Sequence, residues 1–127
     1  TRTFAVGHVS EQQKEIYELV REAQETGVRN MGPGIVASKP DAEIRKVVKK
    51  YEEYYYSGMG HGVGLDLHEE PFLGMYGTKI MQPGCVITME PGIYIPGWGG
   101  VRIEDTVLIT ENGAETLTHF PKDLMIL

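Results

Sequence analysis

The fold is decided by residues 58–71, Gly58-Met59-Gly60-His61-Gly62-Val63-Gly64-Leu65-Asp66-Leu67-His68-Glu69-Glu70-Pro71. Glycine stands at every other position from 58 to 64, and the stretch carries two histidines, His61 and His68. Glycine lets a backbone approach a ligand or a neighbouring strand closely, and histidine is the commonest metal ligand. These residues alone leave two interpretations equally open. The stretch is either a loop that aims a histidine at a metal ion or a glycine-rich turn that happens to contain one.

Length, charge and cysteine content exclude several classes of protein. The length of 127 residues is enough for one domain with its own core. The net charge of −6 argues against a nucleic-acid partner, because phosphate binding needs clustered Lys and Arg. No apolar run reaches the length of a membrane helix, so no membrane partner is expected. The only cysteine, Cys85, excludes an intrachain disulfide and favours a reducing compartment, so we expect a cytoplasmic protein.

The first half of the chain is predicted to be mainly helical. Residues 1–8 contain β-branched and aromatic side chains and predict a short strand. An S-x-x-Q capping box at 10–13 predicts a helix over 11–26. A second helix is predicted to begin after residue 38 or 41 and to end near 52. The tyrosine run 54–56 has two interpretations, stacking on a ligand or a strand packed on a sheet, and we favour the strand.

The second half is predicted to be β-structure. Residues 85–95 give the strongest strand signal, with a bend where Pro91-Gly92 follows Glu90. Residues 101–110 predict another strand, and the Asn-Gly turn at 112–113 predicts a hairpin. The fold class is therefore α+β, with two helices packed on a mostly antiparallel curved sheet.

Familiar catalytic motifs are absent. The glycines do not fit G-x-G-x-x-G, and the chain has no P-loop and no G-x-S-x-G elbow. His68-Glu69-Glu70-Pro71-Phe72 is not H-E-x-x-H, and Pro71 would break the helix that this motif needs. Cys85 lies in an apolar β-prone run, which is typical of a core residue.

Two carboxylates interrupt the predicted strands. Glu90 follows Val86-Ile87-Thr88-Met89, and Glu104 follows Val101-Arg102-Ile103. A carboxylate inside an apolar strand is costly unless it is paired or coordinated, although each could instead face water on a one-sided sheet. Together with His61, the two carboxylates form a plausible ligand set for Zn, Mn, Co or Fe.

Strand alternation adds a further prediction. Arg102, Glu104 and Thr106 share one face of their strand, while residues 101, 103 and 105 point to the other. A cation beside a metal-bound carboxylate can orient it or bind a substrate carboxylate. Arg102 is therefore a candidate for either role.

Three motifs in this order resemble the pita-bread-fold metallopeptidases, which include prolidase (Xaa-Pro dipeptidase), aminopeptidase P and methionine aminopeptidase. They are Gly60-His61-Gly62-Val63-Gly64 with His68-Glu69, Met89-Glu90-Pro91-Gly92, and Val101-Arg102-Ile103-Glu104-Asp105. The resemblance covers nearly the whole chain. The Arg-Ile-Glu-Asp and Gly-Ile-Tyr-Ile-Pro-Gly segments are more similar to the proline-peptidase branch.

The resemblance implies a role for each matching residue. It implies that His61, Glu90 and Glu104 are metal ligands and that Glu104 bridges two divalent ions. His68 would contact the substrate and help to stabilise the tetrahedral intermediate. Glu90 would also manage the proton of the nucleophilic water, and Arg102 would support the site and bind the substrate end.

Two departures from the family pattern qualify the expected activity. The family needs two further aspartates, the second of them two residues before a Thr-Arg-Thr segment, and this chain begins at Thr1-Arg2-Thr3. We therefore expect 1–127 to be the C-terminal part of the catalytic domain. The parent would hold two Mn, Co or Zn ions, and this part would bind at most one weakly and be inactive alone. Ser57 stands where proline-specific members usually carry histidine.

Three functions follow as alternatives. The first is a part of a metallopeptidase that cleaves short Xaa-Pro peptides. The second is a non-peptidase enzyme on the same fold, such as a creatinase-like hydrolase or a lyase, which Ser57 leaves open. The third is a non-catalytic interaction module, although such a module has no need for carboxylates within strands. Half of a pseudo-symmetric domain would expose a sheet edge and an apolar face, which favours a homo-oligomer.

Overall fold

The computed structural model describes all 127 residues. It contains two α-helices, α1 over Glu11–Arg29 and α2 over Lys39–Val47, and a 3-10 helix over Lys49–Tyr54. The predicted helix over 38–52 is therefore two helices that meet at Val48. None of the helices has the length and apolar character that a membrane span requires.

Helix α1 begins as its sequence predicts and ends later. The Ser10 hydroxyl accepts a hydrogen bond from the Gln13 backbone N–H, and the Gln13 side chain accepts one from the Ser10 N–H. The helix runs three residues beyond the predicted end, because Gly27 is a packing residue and not a stop. A Cβ atom on Gly27 would collide with the side chains of Met89 and Ile44.

Seven strands form two antiparallel sheets. The larger sheet has the order β2-β1-β3-β6-β7, and the smaller one pairs β4 with β5. The strands are β1 Gly60–Gly62, β2 Glu69–Leu73, β3 Val86–Met89, β4 Gly92–Ile95, β5 Gly99–Arg102, β6 Asp105–Ile109 and β7 Ala114–Thr116. Helix α1 packs on α2 and contacts both sheets, with 19 buried apolar residues between these layers. Two α-helices on antiparallel sheets confirm the predicted α+β class.

Some predicted strands differ from the observed ones. Residues 1–8 form only a single parallel bridge, from Ala5 to Ile126. In the tyrosine run 54–56, Tyr54 ends the 3-10 helix and only Tyr55 pairs, with Ile93. The backbone partners of these two segments, Ile126 and Ile93, lie far away in sequence.

The predicted strands 85–95 and 101–110 are each split between the two sheets. The first is interrupted at Glu90-Pro91 and the second at Ile103-Glu104. Both pairs of strands keep the same register: Met89 lies opposite Asp105 in the larger sheet, and Gly92 lies opposite Arg102 in the smaller. Continuing this register across the break places Glu90 opposite Glu104.

Gly60 makes the close pairing of β1 with β3 possible. A Cβ atom at this position would collide with the carbonyl oxygen of Thr88. We expect Gly60→Ala to lower the free energy of unfolding by about 3 kcal/mol, because the neighbour is backbone and cannot rotate away. Gly113→Ala, which meets nothing within 4 Å, should change it by less than about 0.5 kcal/mol. Equal urea midpoints for the two variants would contradict this account.

Candidate metal centre

His61 is fixed between two glycines at the centre of β1. Its backbone N–H donates to the Thr88 hydroxyl oxygen at 3.0 Å, and Gly60 and Gly62 are buried on either side. The absence of side chains on these neighbours lets β1 lie between β2 and β3. The imidazole is thus held on a rigid strand with 16% of its side chain exposed.

The His61 ring presents one nitrogen to the backbone and the other to Glu90. Nδ1 lies 2.9 Å from the carbonyl oxygen of Gly62, and Nε2 lies 3.3 Å from Oε1 of Glu90. A carbonyl oxygen can only accept, so this contact assigns the proton to Nδ1. In the neutral ring Nε2 then carries a lone pair, which faces a carboxylate oxygen. Two acceptors that face each other in this way favour a cation between them, and the Nδ1 contact is the usual support of a metal-bound histidine.

Glu90 lies in the break between β3 and β4 with 15% of its side chain exposed. Its backbone N–H donates to the carbonyl of Met59 at 2.8 Å. The Thr88 hydroxyl donates to Oε1 at 3.0 Å, and Nε of Arg102 lies 4.0 Å from Oε2. Thr88 therefore connects the backbone of His61 to the carboxylate of Glu90.

Glu104 lies opposite Glu90, and its carboxylate contacts Thr1. The Thr1 hydroxyl donates to Oε2, and the Thr1 amino nitrogen lies 3.2 Å from the same atom. Burial by itself would raise the pKa of Glu104. The Thr1 hydroxyl and the Arg102 guanidinium act in the opposite direction and lower the pKa of Glu104.

A pocket of about 490 Å³ opens beside the His61–Glu90 pair. The His68 ring meets the His61 ring edge to face, with centroids 4.5 Å apart, and Arg102 is 45% exposed on the rim. The lining residues are Tyr56, Gly58, Gly60, His61, His68, Phe72, Leu73, Glu90, Tyr94 and Arg102. Four of the five predicted site residues thus line one pocket, and Glu104 is the exception.

The donor set fits one side of a metal centre. A histidine nitrogen and carboxylate oxygens suit Zn, Mn or Co. His61 and Glu90 are in contact, but no group of three His, Cys, Asp or Glu side chains is gathered closely enough to enclose an ion. By the strand register, Glu104 lies opposite Glu90. The carboxylate of Glu104 contacts Thr1.

Sequence reasoning missed two kinds of site residue. Thr88 lies on β3 two positions before Glu90, and that spacing was the available signal that both side chains share a face. The aromatic walls were missed as well. Tyr56 was assigned to packing, yet it is 64% exposed and lines the pocket with Tyr94, while its neighbour Tyr55 is buried.

In this α+β fold, a histidine and two glutamates lie around a break between strands. Histidine nitrogen and carboxylate oxygen are typical ligands of metalloenzymes. Comparison with known proteins identifies the family. Residues 1–111 match the model of metallopeptidase family M24, so the chain belongs to that family.

Individual relatives agree with this assignment. The chain is 50% identical over 127 residues to an Xaa-Pro dipeptidase of Pyrococcus furiosus, with 98% of this chain and 36% of that protein covered. A solved dipeptidase from Pyrococcus horikoshii superposes with a TM-score of 0.95 at 44% identity, over 99% of this chain and 36% of that one. A solved Xaa-Pro dipeptidase from Bacillus anthracis gives 0.94 at 46% identity, over 99% and 36%.

The comparisons confirm the expected pita-bread fold, present here in truncated form. The chain spans little more than a third of the length of these relatives.

Proposed function

We propose that this chain is the C-terminal part of the catalytic domain of a prolidase-like metallopeptidase that hydrolyses Xaa-Pro peptides. The observation that carries this proposal is the contact of His61 Nε2 with the Glu90 carboxylate at 3.3 Å, in a chain 50% identical to an Xaa-Pro dipeptidase. In this proposal residues 1–127 supply one side of the centre, and two upstream aspartates supply the other. By itself the chain would bind at most one ion weakly and be inactive.

Together with the two upstream aspartates, His61, Glu90 and Glu104 would hold two divalent ions, Mn, Co or Zn. When bound, such ions lower the pKa of water and polarise the scissile carbonyl. Glu90 is suited to accept the proton of the attacking water, because its carboxylate lies at the pocket wall and is oriented by Thr88.

His68 and Arg102 would bind the peptide. Arg102 is the only Lys or Arg that lines the pocket, and its guanidinium suits a substrate carboxylate. His68 is exposed beside His61, where its ring can donate to the carbonyl oxygen as it becomes negatively charged. The aromatic walls made by Tyr56, Phe72 and Tyr94 offer an apolar surface to a proline ring.

The parent protein would work in the cytoplasm, where the single thiol Cys85 stays reduced. It would act on short peptides and bind neither nucleic acid nor membrane. Alone, this part of the protein exposes apolar side chains such as Leu65, Leu67 and Tyr76, which supports a homo-oligomer of the chain by itself.

Ser57 favours one alternative, a non-peptidase enzyme on the same fold. It does not line the pocket of His61 and Glu90 but the neighbouring one. A creatinase-like hydrolase or a lyase is the second candidate, because Ser57 stands where proline-specific members usually carry histidine.

Calorimetric titration of the full-length protein with Mn²⁺, Co²⁺ and Zn²⁺, followed by dipeptide assays, tests both candidates. We expect two ions per chain and cleavage of Ala-Pro in preference to Ala-Ala. Absence of metal binding would contradict the enzyme assignment and favour an interaction module. Metal binding with turnover of creatine, and none of Ala-Pro, would favour the second candidate.

A further inference from the structure

Arg2 has a buried side chain that makes several hydrogen bonds next to Glu104 of the candidate centre. Its side chain is 7% exposed, and a guanidinium has five N–H donors. All five donate: to Pro121 O at 2.9 Å, Thr1 O at 2.9 Å, Glu104 O at 2.6 Å, Phe120 O at 2.7 Å and Asp105 Oδ1 at 2.7 Å. A buried cation with every donor satisfied is fixed in one geometry.

Asp105 is the charge partner that holds Arg2 in place. Its side chain is fully buried. Besides Arg2, its carboxylate accepts hydrogen bonds at 3.0 Å from the Gln24 amide and from the Lys122 ammonium. The cluster therefore connects α1, β6, the first three residues and the C-terminal segment. None of these four side chains lines the pocket of His61 and Glu90.

Thr1 and Thr3, on either side of Arg2, form hydrogen bonds with the segment between β5 and β6 that carries Glu104. The Thr1 carbonyl accepts from the Glu104 N–H at 3.0 Å, and the Thr1 hydroxyl donates to the Glu104 carboxylate. The Thr3 hydroxyl donates to the Arg102 carbonyl at 2.9 Å and accepts from its N–H at 3.2 Å. Residues 1–3 thus run along 102–104, where the two sheets separate.

We propose that Arg2 is a positioning residue for Glu104: anchored on Asp105, it fixes the Glu104 backbone and the Thr1 hydroxyl that orients the Glu104 carboxylate. The inference rests on the proposed function, because it assumes that Glu104 binds metal. Arg2 itself touches neither metal nor substrate. Its effect on the centre is the placement of one ligand, and a lost supporting hydrogen bond typically costs a metal site 10–100-fold in affinity.

Arg2 and Lys122 both bond Asp105, and comparing them distinguishes a residue that positions Glu104 from one that only stabilises the fold. The Lys122 ammonium bonds Gln24 and Asp105 but makes no hydrogen bond with residues 1–3 or with Glu104. A variant that removes Lys122 weakens the buried cluster and leaves the Arg2 bonds to Glu104 and Thr1 in place. A variant that alters Arg2 weakens the cluster and also removes those bonds.

The experiment compares Arg2→Lys with Lys122→Met in the full-length protein. Lysine keeps the charge next to Asp105, but a single nitrogen cannot make five separate hydrogen bonds. We expect Arg2→Lys to reduce Co²⁺ affinity by about 10–100-fold in calorimetry and to alter the visible absorption of bound Co²⁺. We expect Lys122→Met to lower Tm while the affinity and the spectrum stay as in the unaltered protein.

Equal Co²⁺ affinities for the two variants and the unaltered protein would overturn the inference and leave Arg2 a structural residue. Failure of the unaltered protein to bind metal would instead overturn the proposed function. If Arg2→Lys does not fold, Thr1→Val replaces it. This variant keeps the Arg2–Asp105 pair and removes only the hydroxyl that contacts Glu104, so the same loss of affinity is expected, and unchanged affinity would overturn the inference.

Discussion

Glu90→Gln in the full-length protein is expected to reduce kcat for Ala-Pro hydrolysis by about 10²–10⁴-fold, the range that a positioned acid–base group contributes. Glutamine keeps the shape of glutamate and can still accept the Thr88 hydrogen bond. It lacks the negative charge that faces His61 Nε2 and Arg102, and it cannot accept a proton at neutral pH. Steady-state kinetics with saturating Mn²⁺ measures the loss, and calorimetry shows how much of it comes from weaker metal binding.

Glu115→Gln is the matched control. Glu115 is an exposed glutamate on β7, away from the pocket, so its replacement should leave kcat unchanged. A Glu90→Gln protein that kept its activity would contradict the proposed role of Glu90. An equal loss in both variants would mean that the activity depends on overall charge and not on this site.

The helices were predictable because their signals are local. The capping box at Ser10 and Gln13 forms both of its hydrogen bonds in the structure. The prediction for the end of α1 was wrong, because a glycine can mark either the end of a helix or a close contact. Gly27 makes a close contact with Met89, and no local pattern reveals that a strand far along the chain packs there.

The strands were predictable as apolar runs but not as members of particular sheets. Alternation around Glu104 was confirmed, since Val101, Ile103 and Asp105 are buried while Arg102 is exposed. The breaks at Glu90 and Glu104 were not predicted as a pair. They arise because two neighbouring strands leave one sheet for another at the same register position, which only the paired structure reveals.

The site was predictable to the extent that its residue types are unusual in a strand. A glutamate within an apolar run is costly, and this cost singled out Glu90, which contacts His61 in the structure. The roles of Glu90 and Glu104 as metal ligands stay predictions. Thr88 was missed because a threonine in a strand is ordinary, and the contribution of Tyr56 was missed because Tyr54 and Tyr55 next to it pack inside.

Asp105 was placed correctly on the inner face, but the sequence gave no sign of its partners. Arg2, Gln24 and Lys122 come from three distant parts of the chain. Polar residues of this kind are identified only when the fold brings them together. Their energetic weight follows from burial, because an uncompensated charge in the interior costs far more than a lost surface pair.

Asp105→Asn is therefore expected to lower the free energy of unfolding by about 3–5 kcal/mol, the cost of breaking a buried ion pair on one side. Asparagine has the same shape as aspartate, but it is neutral and its amide nitrogen is a donor. Where Asp105 Oδ2 now accepts from both Gln24 and Lys122, an NH₂ group would face two other donors. If the amide flipped, the same conflict would arise with Arg2.

Asp123→Asn is the control for the loss of one negative charge. Asp123 pairs with Arg21 at 3.0 Å, but its side chain is 84% exposed, so its replacement should cost less than about 1 kcal/mol. Urea unfolding of the full-length protein, followed by circular dichroism, measures both values. Equal unfolding midpoints for the two variants would contradict this expectation. They would show that the ion pairs of Asp105 with Arg2 and Lys122 contribute no more than an exposed pair, despite their burial. A midpoint lowered only for Asp105→Asn would establish Asp105 as the electrostatic anchor of the segment that carries Glu104.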